Sequence, residues 1–199
     1  MMSKKFLLLS ASLIFIFVGS VKSNSIEPDI FVQSTVNRAS EALGNSFAKE
    51  EKIKKLKNIA KETVDIKGIG FYTLGKKRKT LNNDQKSTYS KLFEEYFLKS
   101  FSSRLAEYTN PEIEVQGKEI LNKNYTIVNS ILISTEERPE VKIDWRVFTQ
   151  NPNNPLIRDL IIEGLSLART QKEEFSSILN SNDNDISALF KSLENFSKN

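Results

Sequence analysis

The sequence predicts an α+β domain, with N-terminal helices and a long aromatic helix packed on a mainly antiparallel four-stranded sheet and further helices at the C-terminus. Three observations predict this class. Helical periodicity dominates residues 31–108, apolar residues then alternate in short runs between 113 and 162, and helical periodicity returns after Gly164. Short turns separate the alternating runs, so we expect neighbouring strands to pair antiparallel.

Composition bounds the chemistry that this chain can perform. Its 199 residues are 39% apolar and 27% charged, which is typical of one globular domain. The chain has no cysteine and no histidine. This excludes disulfides, a thiolate nucleophile, histidine-based catalysis and most zinc sites, and it predicts no cofactor.

The N-terminus has the pattern of a cleaved signal peptide over residues 1–23, followed by a single domain over 24–199. Lys4 and Lys5 precede an apolar run over 6–18 and a small-residue site at 21–23. The alternative is an uncleaved anchor, but thirteen residues are short for a membrane-spanning helix. Without residues 1–23 the formal charge falls from +4 to +1 (26 basic and 25 acidic residues), which argues against nucleic-acid binding. We therefore expect a freely soluble, monomeric protein of the bacterial periplasm.

The first half of the domain is predicted to be helical. Apolar residues at helical spacing indicate one helix over 31–47, a mixed-charge helix over 49–60 and short helical turns over 64–75. A dense basic run follows, formed by Lys76, Lys77, Arg78 and Lys79. It is either a contact for an anionic membrane surface or an acidic partner, or a solvated loop between helices.

The next helix is the most aromatic element of the chain. Asn82 or Asn83 is expected to cap it, and Pro111 to close it. Its apolar face is formed by Tyr89, Leu92, Phe93, Tyr96, Phe97, Phe101, Leu105 and Tyr108. This face predicts either a core helix on a sheet or, beyond that, one wall of an apolar cavity.

Four strands and two helices complete the prediction. Runs near 112–120 and 125–134 precede a hairpin over 141–162, in which Val141, Ile143, Trp145 and Val147 alternate with polar residues. Two amphipathic helices follow, one ending near Asn180 and one beginning near 185.

Several strings of the chain resemble a known family. They are residues 73–75 before the basic run, the long helix over 81–108, the strand 141–147 and the string Asp159-Leu-Ile-Ile-Glu-Gly-Leu-Ser-Leu167. Together they resemble the MlaC-type periplasmic phospholipid shuttles, an auxiliary family once named for toluene tolerance. The resemblance covers essentially the whole chain after residue 23.

The resemblance implies a non-enzymatic carrier of phospholipid cargo. Such a carrier would exchange lipid with an outer-membrane lipoprotein–porin complex and with an inner-membrane ABC transporter complex that contains an MCE-domain ring. With the aromatic helix, it predicts a deep apolar pocket between helices and sheet, lined by Phe93, Phe97, Phe101, Ile143, Trp145, Val147, Ile157 and Ile161. A one-residue shift of register would exchange the strand candidates for their neighbours.

The sequence also allows two functions other than that of a carrier. A small enzyme could use Asp144, Asp159 or Glu163 with Tyr72 or Tyr96 as an acid–base pair. More simply, Asp159 and Glu163 would orient the turn into the next helix, with Arg146 or Arg158 as partners. The second alternative to a carrier is a chaperone-like module with a filled core.

Overall fold

The computed structural model describes residues 25–136 and 138–198, so the signal peptide predicted for residues 1–23 lies outside the described residues. The helices of the first half are α1 (Pro28–Ala42), α2 (Lys49–Thr63), α3 (Ile66–Thr73), a 3-10 helix (Gly75–Lys79) and α4 (Asn83–Leu105). The strands are β1 (Ile113–Asn122), β2 (Tyr125–Leu132), β3 (Val141–Phe148), β4 (Leu156–Ile162) and β5 (Leu165–Ser166). The chain then forms α5 (Leu167–Asn180) and α6 (Ile186–Lys198). The predicted α+β class is confirmed.

A reciprocal cap fixes the start of α4. The side chain of Asn82 accepts a hydrogen bond from the backbone N–H of Gln85 at 2.8 Å, and the Gln85 side chain accepts one from the backbone N–H of Asn82 at 3.1 Å. Two of the N–H groups that a helix start leaves without intrahelical partners are thereby satisfied. Of the two predicted caps, the structure uses Asn82.

The sheet is an antiparallel meander in the order β1-β2-β3-β4-β5. It has five strands rather than the predicted four. The fifth, β5, was missed because its two residues are too few to show an alternating pattern in the sequence. In the centre of the sheet Val128 pairs with Trp145 and Ser130 with Ile143, so these four side chains share one face. That face is buried.

Helices cover the buried face of the sheet unequally. Val32 and Val36 of α1 pack against Val128 and its neighbours, while α3 and α5 contact β4. The aromatic helix α4 makes its main contacts with α2, α3 and α6. Helix α4 therefore belongs chiefly to a helical layer, and α1 is the helix that covers β1 and β2.

Gly70 of α3 lies where α3 touches α4. A Cβ atom at this position would come within 2.8 Å of Cδ1 of Phe93, whose side chain is only 2% exposed. Such a clash forces a buried ring to move. Glycine at position 70 is therefore what lets the two helices approach.

Gly70→Ala is expected to lower the free energy of unfolding by about 1–2 kcal/mol. The added methyl group overpacks the core, which costs about 1–3 kcal/mol. The higher helix propensity of alanine offsets up to about 1 kcal/mol of this cost. Urea denaturation measures this difference. Gly117→Ala is the control, since no atom lies within 4 Å of the added methyl group there. A Gly70→Ala protein as stable as the wild type would contradict the close approach.

Candidate functional site

The buried apolar residues that concern the predicted pocket form two clusters. The first, which we call the helix core, lies among α3, α4, α5 and α6 and includes Tyr89, Phe93 and Phe175. The second, which we call the sheet core, lies between α1 and the sheet and includes Val128, Trp145 and Val147. A site for a large apolar ligand would have to lie in or between these two cores.

The predicted pocket residues divide between the two cores. Phe93 is buried in the helix core, and the half-buried Phe97 and Phe101 pack against it. The structure places four of the strand candidates together in the sheet core: Ile143, Trp145, Val147 and Ile157. The predicted lining thus consists of two separate groups that face different cores.

Ile161 belongs to neither core, and Leu160 packs on the sheet core instead. The cause is a bulge in β4. Val147 pairs with Ile157 but Arg146 pairs with Asp159, so one residue of β4 is skipped and the side chains beyond it change face. No alternation in the sequence marks this bulge.

The side chains of α4 form a continuous aromatic row. Successive ring centroids are 5.7 Å apart for Tyr89 and Phe93, 6.1 Å for Phe93 and Phe97, and 5.6 Å for Phe97 and Phe101. The hydroxyl groups of Tyr89 and Thr73 lie 2.8 Å apart, and burial raises the pKa of Tyr89 well above its usual value. One end of the row is therefore fixed in the core, while Phe97 and Phe101 remain partly accessible.

Trp145 is held in one orientation by the sheet. Its indole N–H donates to Oγ of Ser130 at 2.8 Å, and that hydroxyl donates to the carbonyl of Ile143 at 2.9 Å. All three residues are buried. The indole therefore presents a fixed apolar surface in the sheet core, with its polar atom satisfied.

Val64 lies at the interface between the two cores and packs against both. Beside it the backbone N–H of Asp65 donates to the carbonyl of Ile157 at 2.9 Å. The Asp65 carboxylate also pairs with Arg158 at 2.6 Å and accepts from the N–H of Gly68 at 2.8 Å. These contacts tie the start of α3 to β4, and no local pattern in the sequence predicts that Val64 and Asp65 join the helices to the sheet.

Two concavities among the described residues are open to solvent. The lining of the first is mostly polar, whereas Val64, Ile66 and Leu156 give the second a mixed lining. One, of about 560 Å³, runs along α5, and the other, of about 410 Å³, lies near Asp65 and Glu94. Neither is an apolar pocket between helices and sheet, which stays a prediction.

The carboxylates considered for catalysis have structural partners. Asp159 accepts hydrogen bonds from Oγ of Ser166 at 2.6 Å and from the N–H of Ala168 at 3.0 Å, and it lies 3.4 Å from Arg146. Glu163 accepts from the N–H of Lys142 at 2.5 Å. Asp159 thus contacts the start of α5 and has Arg146 as its partner, whereas Glu163 bonds the backbone of β3 and Arg158 pairs with Asp65.

The remaining acid–base candidates are also engaged or exposed. Asp144 accepts from the Asn129 amide at 2.8 Å, and the Tyr96 hydroxyl donates to Gln171 at 2.7 Å. Burial raises the pKa of Tyr96, which makes it a poorer acid, and Tyr72 is 39% exposed. Within residues 25–136 and 138–198 no three acidic side chains are grouped to hold a metal ion.

The predicted basic run forms the 3-10 helix rather than a loop. The ammonium group of Lys77 donates to the carbonyl of Asn184 at 2.6 Å, while Lys76, Arg78 and Lys79 are exposed. In the part of the chain that is described, none of the helices combines the length and the apolar character needed to span a bilayer.

Comparisons with known proteins give a family and a similar fold. The family model described as MlaC protein matches residues 33–195. The fold is similar to that of a phospholipid-binding protein from Ralstonia solanacearum, solved in complex with a phospholipid, with a TM-score of 0.72 and 17% sequence identity over 87% of this chain and 98% of that one. No curated protein sequence matches the chain significantly.

Proposed function

The chain belongs to the MlaC protein family, and from this membership we propose that it is a periplasmic phospholipid carrier that binds lipid without chemical change. Membership over residues 33–195 is the observation that carries the proposal. The phospholipid held by the Ralstonia solanacearum protein of similar fold supports it. The structural partners of Asp159 and Glu163 also favour binding over catalysis, since these carboxylates already accept backbone hydrogen bonds.

The physical requirement on such a carrier is severe. Each buried methylene gains about 0.8 kcal/mol, so two acyl chains of about 16 carbons lose roughly 25 kcal/mol when they enter water. A carrier has to enclose the tails and leave the phosphate headgroup in water, because an unpaired buried charge is costly. A shallow polar cleft cannot meet this requirement, so the tails belong in the apolar interior.

We place the tails at the interface between the helix core and the sheet core. Val64 packs against both cores, and the partly accessible Phe97 and Phe101 offer aromatic surface on the helical side. In that position apolar side chains of both cores would enclose the tails and make dispersion contacts with them.

We propose that the monomeric carrier exchanges lipid with an outer-membrane lipoprotein–porin complex and with an inner-membrane MCE-domain ABC transporter complex. The basic 3-10 helix, with Lys76, Arg78 and Lys79 exposed, is a candidate contact for these partners or for the membrane surface.

Protein purified natively from its own host without detergent is expected to contain phospholipid at a defined ratio to protein. Mass spectrometry of an organic extract, with phosphorus determined per mole of protein, measures it. Lipid-stripped protein should also carry fluorescent phospholipid from donor to acceptor vesicles, whereas protein unfolded in urea should not. Absence of both bound lipid and transfer would overturn the proposed function.

A further inference from the structure

A polar cleft of about 560 Å³ follows the outer side of α5, away from both apolar cores. Its residues on α5 recur at steps of three and four, so they form one helical face, and Tyr72 of α3 closes the opposite side. The α5 side chains that line it are Arg169, Lys172, Glu173, Ser176, Ser177 and Asn180, with Ser181 at the helix end. The lining combines two cations, the carboxylate of Glu173, the hydroxyl of Tyr72, three serine hydroxyls and one amide, so its formal charge is +1.

The two cations of the cleft lack carboxylate partners. No acidic group among the described residues lies within ion-pair distance of Arg169 or Lys172, although the cleft also contains Glu173. The ammonium group of Lys172 lies 5.2 Å from the ring centroid of Tyr72, which orients it towards the cleft wall. Neither cation is therefore held in an ion pair, and the cleft keeps a net positive charge despite Glu173.

The first residue of the basic 3-10 helix lies beside the cleft. Cε of Lys172 lies 3.2 Å from the position that a Cβ atom would take on Gly75, the first residue of that helix. Beyond Gly75 the exposed side chains of Lys76, Arg78 and Lys79 likewise have no ion-pair partner among the described residues. Two unpaired cations thus line the cleft, and three more follow Gly75 in the adjoining 3-10 helix.

We propose that this cleft and the adjoining 3-10 helix form one surface that binds phosphate esters. A guanidinium group can bind two phosphate oxygens at once, and an ammonium group adds a point charge. The hydroxyls of Ser177 and Ser181 and the Asn180 amide can donate to the remaining oxygens or bind a glycerol moiety, whereas the Ser176 hydroxyl already donates to the carbonyl of Lys172 at 2.7 Å. The ester is either a dissolved phosphate compound or the headgroup of an anionic phospholipid at a bilayer surface. This surface lies outside the apolar interior, so it does not depend on where the acyl tails lie.

Two probes distinguish these sources, both applied to the folded chain from residue 24 onwards. Titration with sn-glycerol 3-phosphate, followed by backbone amide NMR shifts, tests the dissolved ester. Co-sedimentation with phosphatidylcholine vesicles, with and without phosphatidylglycerol at about one third of the lipid, tests the headgroup source at low salt. The amides that shift should lie in 169–181 and 75–79.

The double variant Arg169→Gln and Lys172→Gln is expected to weaken binding of the effective probe at least tenfold. The control, Lys54→Gln with Lys57→Gln, removes the same charge from α2, where neither lysine has an ion-pair partner, and should change binding less than twofold. Circular dichroism and bound-lipid content should be the same in both variants, since each pair has one exposed residue (Arg169 or Lys54) and one half-buried residue (Lys172 or Lys57) and none of the four is in an apolar core. A cleft effect is thereby separated from a change in net charge.

Each outcome decides the proposal. Binding of glycerol phosphate alone supports a dissolved ester, and binding of phosphatidylglycerol vesicles that the cleft variant weakens supports a bilayer headgroup. Binding of neither probe overturns the proposal. So does binding that both variants weaken equally, or amide shifts confined to other parts of the chain.

Discussion

Trp145→Ala is expected to remove most of the bound phospholipid and to lower the free energy of unfolding by about 3–5 kcal/mol. The indole is 9% exposed in the sheet core, and its loss leaves a cavity and takes away the donor to Ser130. Against a total stability of about 5–15 kcal/mol, the variant should still fold. Lipid phosphorus per mole of folded protein, together with urea denaturation, measures both effects.

Two further variants separate loss of lipid from loss of stability. Phe97→Ala removes a half-buried ring from the helical side, so we expect lower lipid content with a smaller stability loss. Leu56→Ala removes a side chain that is 1% exposed and belongs to a third apolar cluster, with Ala42 and Ile59. It should be destabilised by about 2–5 kcal/mol yet retain lipid. Wild-type lipid content in folded Trp145→Ala and Phe97→Ala proteins would show that the tails lie elsewhere.

Asp159→Ala is expected to lower the free energy of unfolding by about 3 kcal/mol or more. The Asp159 side chain is 1% exposed, and it joins β3, β4 and the start of α5 through Arg146, Ser166 and Ala168. Its removal leaves a partly buried cation and two buried donors without a partner, and each such group is costly. Urea denaturation measures the change.

Asp159→Asn should lose less stability, because the amide oxygen can still accept from the N–H of Ala168. Asp144→Ala is the matched control in the same sheet. Among the hydrogen bonds described, the Asp144 side chain accepts only one, from the Asn129 amide. We therefore expect its removal to lower the free energy of unfolding by about 1 kcal/mol. If Asp159→Ala and Asp144→Ala were equally stable, the three-element junction at Asp159 would carry no special stability.

Local patterns in the sequence were enough to predict much of the fold. The capping residues before α4 predict its start, and the alternation of Ile143, Trp145 and Val147 predicts the buried face of β3. Both depend on groups that are close in sequence, where steric and hydrogen-bonding rules act directly. The family strings could be recognised for the same reason, since they are short and contiguous.

Other features depend on partners distant in sequence. An amphipathic pattern shows that α4 has an apolar face. It does not show that α4 packs mainly on α2, α3 and α6 rather than on the sheet. The change of face in β4 follows from its pairing with β3, so Leu160 replaces Ile161 in the sheet core. Val64 looked like part of a short helix, and its position between the two cores depends on its pairing with Ile157.

The order of the strands has a consequence for how the chain folds. Every strand pairs with its neighbour along the chain, and the turn between β4 and β5 is closed by two residues, Glu163 and Gly164, with φ angles of 48° and 81°. The sheet can therefore assemble hairpin by hairpin, without bringing remote segments together first. We expect rapid collapse to the native topology, with little time for unpaired edges to aggregate.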